Sequence, residues 1–316
     1  MAEDKTVRDG GSLDSTVTYT SILEEHDVAR SQREARKQLL QDIALPEFND
    51  GGKPNGVVAH LSQAPLSASD IPVLGNVLLK IGDVKTLNLV LHSPGGDGTV
   101  VEKFVGLCCA QCNRFRVLIP NEAKSAATLI ALGADEIVMG PPAELGPIDA
   151  QVLIIANGIP RMISAQSFID ARDMLLVQYA EQTKNGEDAG ATMQMLATLD
   201  LPFIAECERL MEFGRDVARK FLEQYMFKGK KDKVKKAEKV VKILSSVKQF
   251  LVHGRRVDGS TARTELGLNV SLRGKNDPLW QKIWLYYTRA EVALARSNAA
   301  KLLETEHELL MAVPRT

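Results

Sequence analysis

The chain has 316 residues, 45% of them hydrophobic and 25% charged, a globular composition with room for one large domain plus an appendage or for two domains. Its formal net charge of −1 gives no global field favouring nucleic acid or an anionic membrane, so such partners are not expected. The first residues lack both a basic start and an apolar core, and no run approaches the roughly 18 apolar residues of a membrane span. The expected location is cytoplasmic.

In chain order, residues 1–26 read as a flexible polar arm. The stretch HDVARSQREARKQLLQDI reads as a helix, and NDGGKPNG breaks it off. VVAHL (Val57 to Leu61) predicts a strand, ASDIPVLGNVLLKIGD a helix, and TLNLVLH (Thr86 to His92) a second strand that stops at SPGGDG. A helix over about Thr99 to Cys112, a strand at FRVLIP, a helix opening near Ser125 and a strand at EIVMG complete the alternation. This pattern predicts βαβ crossovers, a mostly parallel sheet, and chemistry at the carboxyl ends of the strands. SPGGDG and NEAKSAA both fall at such ends.

Beyond LGPIDAQ the texture changes. VLIIANGIPRMI reads as a strand pair turning at Asn157 and Gly158, followed by helices over SAQSFIDARDMLLVQYAEQ and over about Ala189 to Tyr225, with a break at Pro202. Lys228 to Lys242 holds eight lysines against Asp232 and Glu238, with no aromatics interleaved for stacking bases, and reads as a solvated helix face. HGRRVDGSTARTELGLNV reads as loop, short helix and strand. Asp277 to Met311 reads as one long amphipathic helix. The expected division is a domain over 27–275 with a helical insertion at about 165–250, then a C-terminal helix over 276–316.

Cys108, Cys109 and Cys112 are expected on one helix as buried thiols, with Cys207 apart; no partner completes a four-ligand metal site. Neither a metal nor a cofactor is expected. SPGGDG lacks the G-x-G-x-x-G spacing of a dinucleotide fingerprint.

Ser125 has two readings: a helix N-cap, or a nucleophile. A nucleophilic hydroxyl needs a base and a site for the oxyanion. The first turn after Ser125 presents free backbone N–H groups, that of Ala126 included, and the glycines of SPGG allow a second, that of Gly96, to approach the same point. Two donors and a hydroxyl suit acyl transfer.

The motifs LVLHSPGG, AKSAATLIALGADEIVMG, LGPIDAQ and HGRRVDGSTARTELGLNV, with Ser125 placed 29 positions after Gly96 (125 minus 96), resemble the serine dehydrogenase proteinase family. That family lies in the Clp protease and crotonase superfamily, near the signal peptide peptidase group. The resemblance implies an α/β fold, a Clp protease/crotonase-like spiral of βαβ units with helical additions. It implies a serine peptidase with Ser125 as nucleophile, Asp149 as orienter and His253 as base, an oxyanion hole at Gly96 and Ala126, and a supporting loop containing His92 and Gly95. Peptide or unfolded protein is the implied substrate and a homo-oligomer the implied assembly.

Two features depart from the family pattern. Ala126 and Ala127 follow the serine where glycine is usual, and no N-terminal membrane segment is seen, which points to a soluble substrate or a soluble complex. Alternatives stay open at each position: Asp149 as a turn residue after Pro147, His253 as a surface histidine, His92 as a competing base, and a Ser–Lys dyad using Lys103, Lys184 or Lys230. A crotonase-type acyl-CoA enzyme or an inactive oligomeric scaffold are the other functional readings.

Overall fold

The computed structural model describes residues 29–44, 55–250 and 252–312; the expected arm over 1–26 lies outside them. The predicted helix near the N-terminus is α1 (Ala29–Ala44). After it come β1 (Gly56–Ser62), α2 (Asp70–Ile81), β2 (Val84–His92), α3 (Val101–Ala110), β3 (Cys112–Ile119), β4 (Glu122–Ala123), α4 (Ala126–Leu132) and β5 (Glu136–Met139).

β1, β2, β3 and β5 are parallel neighbours in a seven-stranded sheet that β10 (Val270–Leu272), β11 (Lys301–Glu304) and β12 (Leu309–Ala312) complete, in the order β10-β5-β3-β2-β1-β11-β12. Helices α2, α3 and α4 make the crossovers, so the predicted α/β fold of βαβ units is present. β2 is buried along nearly its whole length, its polar residues Thr86, Asn88 and His92 included. Its end at His92 and the end of β3 at Ile119 bring SPGG and Ser125 to the same edge of the sheet.

Next in the chain are β6 (Glu144–Leu145), β7 (Gln151–Ala156) and β8 (Ile159–Ser164), the last two forming the predicted hairpin. The insertion continues as α5 (Ala165–Asn185), α6 (Gly190–Ala197), α7 (Leu201–Phe221) and α8 (Lys233–Leu244). Pro202 sits in the first turn of α7, where its missing N–H costs nothing, and Asp200 caps that turn by accepting from the Phe203 N–H. Val152, Ala165, Ile169, Ile204, Cys207 and Met211 form a second, small core between the hairpin and α5 and α7. In α8, Ala237, Val240, Val241 and Leu244 face inward, so most of the lysine-rich run is a solvated helix face.

After α9 (Val247–Phe250), the chain forms β9 (Val257–Asp258), α10 (Gly259–Thr264), β10 (Val270–Leu272), α11 (Pro278–Ser297), β11 (Lys301–Glu304) and β12 (Leu309–Ala312). The single helix expected over Asp277 to Met311 is therefore corrected. Asn298 takes a left-handed conformation at φ 52° and closes α11. The following residues add to the open edge of β1, where Leu302 and Leu303 are buried and Glu304 meets the guanidiniums of Arg33 and Arg36. A second correction concerns the thiols: Cys112 opens β3 instead of ending α3, because the helix stops at Ala110 and the chain reverses at Gln111.

Candidate active site

Three two-residue strands organise the site. β4 lies just before Ser125, β6 shortly before Asp149, and β9 shortly after His253, and they pair in the order β4-β6-β9. A small separate sheet thus gathers the three segments that carry the candidate residues. Thr128 stitches the first two together: its hydroxyl donates to the Ala123 carbonyl (2.7 Å) and accepts from the Gly146 N–H (3.0 Å).

Ser125 stands at the N-cap position of α4, yet its side chain makes no capping hydrogen bond. Its backbone has φ 49° and ψ −116°, a positive-φ conformation that favours glycine. A non-glycine residue held there carries about 1–3 kcal/mol of strain. The hydroxyl is left free of the helix while the backbone is bent to hold it there.

The glycine loop closes against this turn. The Ser93 N–H donates to the Glu122 carbonyl (3.1 Å) and the Lys124 N–H to the Ser93 carbonyl (3.0 Å). The Leu66 N–H donates to the Gly95 carbonyl (2.7 Å) and the Asp97 N–H to the Leu66 carbonyl (2.9 Å), which pins both ends of the Gly95–Gly96 peptide. Gly95 and Gly96 have φ of 99° and 139°, and a Cβ on Gly95 would lie 2.7 Å from the Ser125 Cβ. Among the described residues, neither the Gly96 nor the Ala126 N–H donates a backbone hydrogen bond.

His92 is buried against the edge of the Tyr287 ring, 5.1 Å between centroids. Burial holds its pKa down at about 4 against the opposing hydrogen bond to the Glu122 backbone, so the ring is neutral at pH 7.

Asp149 and His253 meet: His253 Nδ1 lies 2.7 Å from Asp149 Oδ1. Asp149 is 3% exposed, and burial alone would raise its pKa. The bonds from His253, Ser164 and Gln151 prevail and hold the carboxyl below its ordinary value, leaving an ionised acceptor. Ser164 Oγ donates to Asp149 Oδ2 (2.9 Å), as does Gln151 Nε2 (3.1 Å). With Nδ1 committed to the carboxylate, the Nε2 of His253 is the ring nitrogen left for a proton. The link to the serine segment runs through Lys124, the residue before Ser125, whose ammonium is 3.5 Å from the carbonyl of Gly254, the residue after His253.

Lys124 itself is ion-paired to Glu144 at 2.5 Å. Lys103, Lys184 and Lys230 are exposed, which removes the burial a neutral lysine base needs. Cys108 is buried, Cys109 and Cys112 partly so, and all four cysteines are free; burial pushes the thiols of Cys109 and Cys112 up to about 12 and 11. Among the described residues no group of His, Cys, Asp and Glu could hold a metal ion, and no helix is long and apolar enough to cross a membrane. Sequence reasoning missed Gln151, Ser164, Thr128 and Glu144. Gln151 and Ser164 act across a strand register, and Thr128 and Glu144 through contacts between separate segments, neither of which a linear pattern displays.

Two uncharacterized proteins of Methanocaldococcus jannaschii are 40% and 38% identical to this chain over 68 and 66 residues, 22% and 21% of its length. The matches span 24% and 23% of those relatives, about a quarter of each. A solved ClpP1 mutant from Listeria monocytogenes aligns at 12% identity and a TM-score of 0.36, covering 77% of this chain and 98% of that one. A family model described as ClpP-like SDH-type serine proteinase matches residues 73–187, which include Ser125 and Asp149 and stop short of His253. Over residues 73–187, then, the chain is similar to the ClpP-like SDH-type serine proteinases, and that match supports a serine peptidase in general.

Proposed function

We propose that this protein is a serine peptidase hydrolysing peptide bonds through an acyl-enzyme on Ser125, with His253 as general base and Asp149 as its orienter. The observation that carries the reading is the 2.7 Å contact between His253 Nδ1 and an ionised, buried Asp149. Such a contact supports the tautomer with its proton on Nδ1, in which Nε2 is free to act as the base. His253 Nε2 takes the Ser125 proton as Oγ attacks the carbonyl carbon. The carbonyl oxygen becomes an oxyanion facing the N–H groups of Gly96 and Ala126. The C–N bond then breaks, the leaving amine takes the proton from His253, and water repeats the sequence on the ester. Each oxyanion donor is worth about 10²–10³ in rate. No cofactor enters.

The substrate class is peptide or unfolded protein, and a cytoplasmic homo-oligomer is the assembly expected. Leu153, Ile155, Ile159 and Met162, exposed on the β7–β8 hairpin, are apolar surface that an assembly would cover, and a strictly monomeric mass by light scattering would contradict it. For the dyad reading, Lys103, Lys184 and Lys230 are exposed and the buried Lys124 is ion-paired to Glu144, and a crotonase-type enolate mechanism leaves the Asp149–His253 pair without a task.

The test is intact-mass detection of a fluorophosphonate adduct on the wild type, with Ser125→Ala and His253→Ala as controls. An adduct present in the wild type and lost in both variants is expected. A folded wild type that takes no adduct would favour the inactive scaffold.

A further inference from the structure

We infer that Gln151 and Ser164 are positioning residues for the reaction proposed above, holding Asp149 from behind so that its other oxygen stays aimed at His253. The inference rests on that reading of Ser125, Asp149 and His253. A carboxylate with one partner turns easily, because its terminal torsion has a broad, shallow profile. Here Oδ1 meets His253 and Oδ2 accepts from both Ser164 Oγ (2.9 Å) and Gln151 Nε2 (3.1 Å), which fixes the carboxylate plane.

The two donors are not independent. Gln151 and Ser164 are the residues directly opposite one another at the root of the β7–β8 hairpin, so their side chains leave the same face and reach the same oxygen. The root is anchored by the Ala165 N–H donating to the Ala150 carbonyl (2.9 Å) and by Val152 and Ala165 in the second core. Ser164 also occupies the N-cap position of α5, the site where a serine hydroxyl ordinarily satisfies a helix N–H, yet it makes no capping bond. Its hydroxyl goes to Asp149 instead. The hairpin and the helical insertion that supports it therefore set the angle at which the base is held.

The experiment uses the full chain, with Ser164→Ala, the double variant Ser164→Ala with Gln151→Leu, and Ser164→Thr, which keeps the hydroxyl. Two quantities are read: the rate of fluorophosphonate labelling of Ser125, and the titration of the Asp149 carboxyl by carbon NMR, assigned with Asp149→Asn. The expected result is labelling slowed about tenfold in the single variant and about a hundredfold in the double. The Asp149 titration should move upward in both, and Ser164→Thr should restore both quantities. An unmoved Asp149 titration in the double variant overturns the inference, and it does so without recourse to activity. A moved titration with wild-type labelling rate overturns the positioning role. Failure of the wild type to label at Ser125 overturns the proposed function itself, and the positioning role falls with it.

Discussion

His253 reaches Asp149 at 2.7 Å from the partly open side, while Asp149 is almost completely enclosed: their side chains are 25% and 3% exposed. An enclosed carboxylate is stable only when its charge is met, and here three donors meet it. Its folded pKa lies below the ordinary value, so the unfolded chain binds the proton more readily. Stability from this group is complete above the unfolded pKa of about 3.9 and is lost as pH falls through the lower folded value. Urea unfolding of the wild type and Asp149→Asn at steps from about pH 6 to about pH 2 should therefore show the variant less stable at the upper end and the two curves converging at the acid end. A constant separation would show that the charge of Asp149 contributes nothing.

Ser125 offers the opposite trade. Its φ of 49° strains any residue bearing a Cβ, and its hydroxyl supplies no cap to offset the strain. Ser125→Ala should therefore leave stability nearly unchanged, without the loss of about 1 kcal/mol that follows removal of a working N-cap. Ser125→Gly should relieve strain, gaining about 1 kcal/mol net of the added freedom of the unfolded chain, or about 2–4 °C in Tm. Differential scanning calorimetry of the three proteins decides this. A Tm for Ser125→Gly at or below that of Ser125→Ala would remove backbone strain from the account.

What the sequence displays and what it hides follow from length scale. Alternation of strands and helices from Val57 to Met139 was legible because each element repeats its apolar period several times, and SPGG because a glycine pair between a buried strand and a helix has few other uses. β4, β6 and β9 have two residues each, too few to carry a period, though they gather the candidate site. The end of α11 was hidden for another reason. LLETEHELL satisfies a helical spacing as well as a strand pair, and only the open edge of β1 and the left-handed turn at Asn298 select the strands. Gln151 and Ser164 were illegible for the same cause: the hairpin register, not their spacing, brings them to one oxygen.

Glu304 shows how much that misread segment contributes. It is fully buried, accepts from Arg36 Nε (2.9 Å) and Nη2 (3.1 Å) and from the Tyr286 hydroxyl (2.7 Å), and pairs with Arg33. The cluster ties α1, α11 and β11 together. Glu304→Ala would leave the guanidinium of Arg36, itself 2% exposed, buried without its carboxylate. The expected loss is about 3–5 kcal/mol. Chemical denaturation of the variant should show it, and a loss under about 1 kcal/mol would mean that water reaches Arg36 once the carboxylate is gone.

The glycine loop gives the sharpest steric test of the site. A Cβ on Gly95 would sit 2.7 Å from both the Lys124 carbonyl oxygen and the Ser125 Cβ, and one on Gly96 would sit 2.5 Å from the Leu66 carbonyl oxygen. Both positions also have φ in the region that L side chains avoid. Backbone cannot give way as the end of a flexible side chain can, so either alanine must displace the loop or the serine turn. Gly95→Ala pushes directly on Ser125, whereas Gly96→Ala pushes on Leu66 behind the loop and swings the Gly96 N–H. Both should slow fluorophosphonate labelling by at least about 10²-fold, the effect of losing one oxyanion donor. The two should differ in the reporter: only Gly95→Ala acts on the serine itself, so a reagent that needs the hydroxyl but builds no oxyanion should separate them. Labelling of Gly96→Ala at the wild-type rate would exclude its N–H from the chemistry and leave the loop as packing alone.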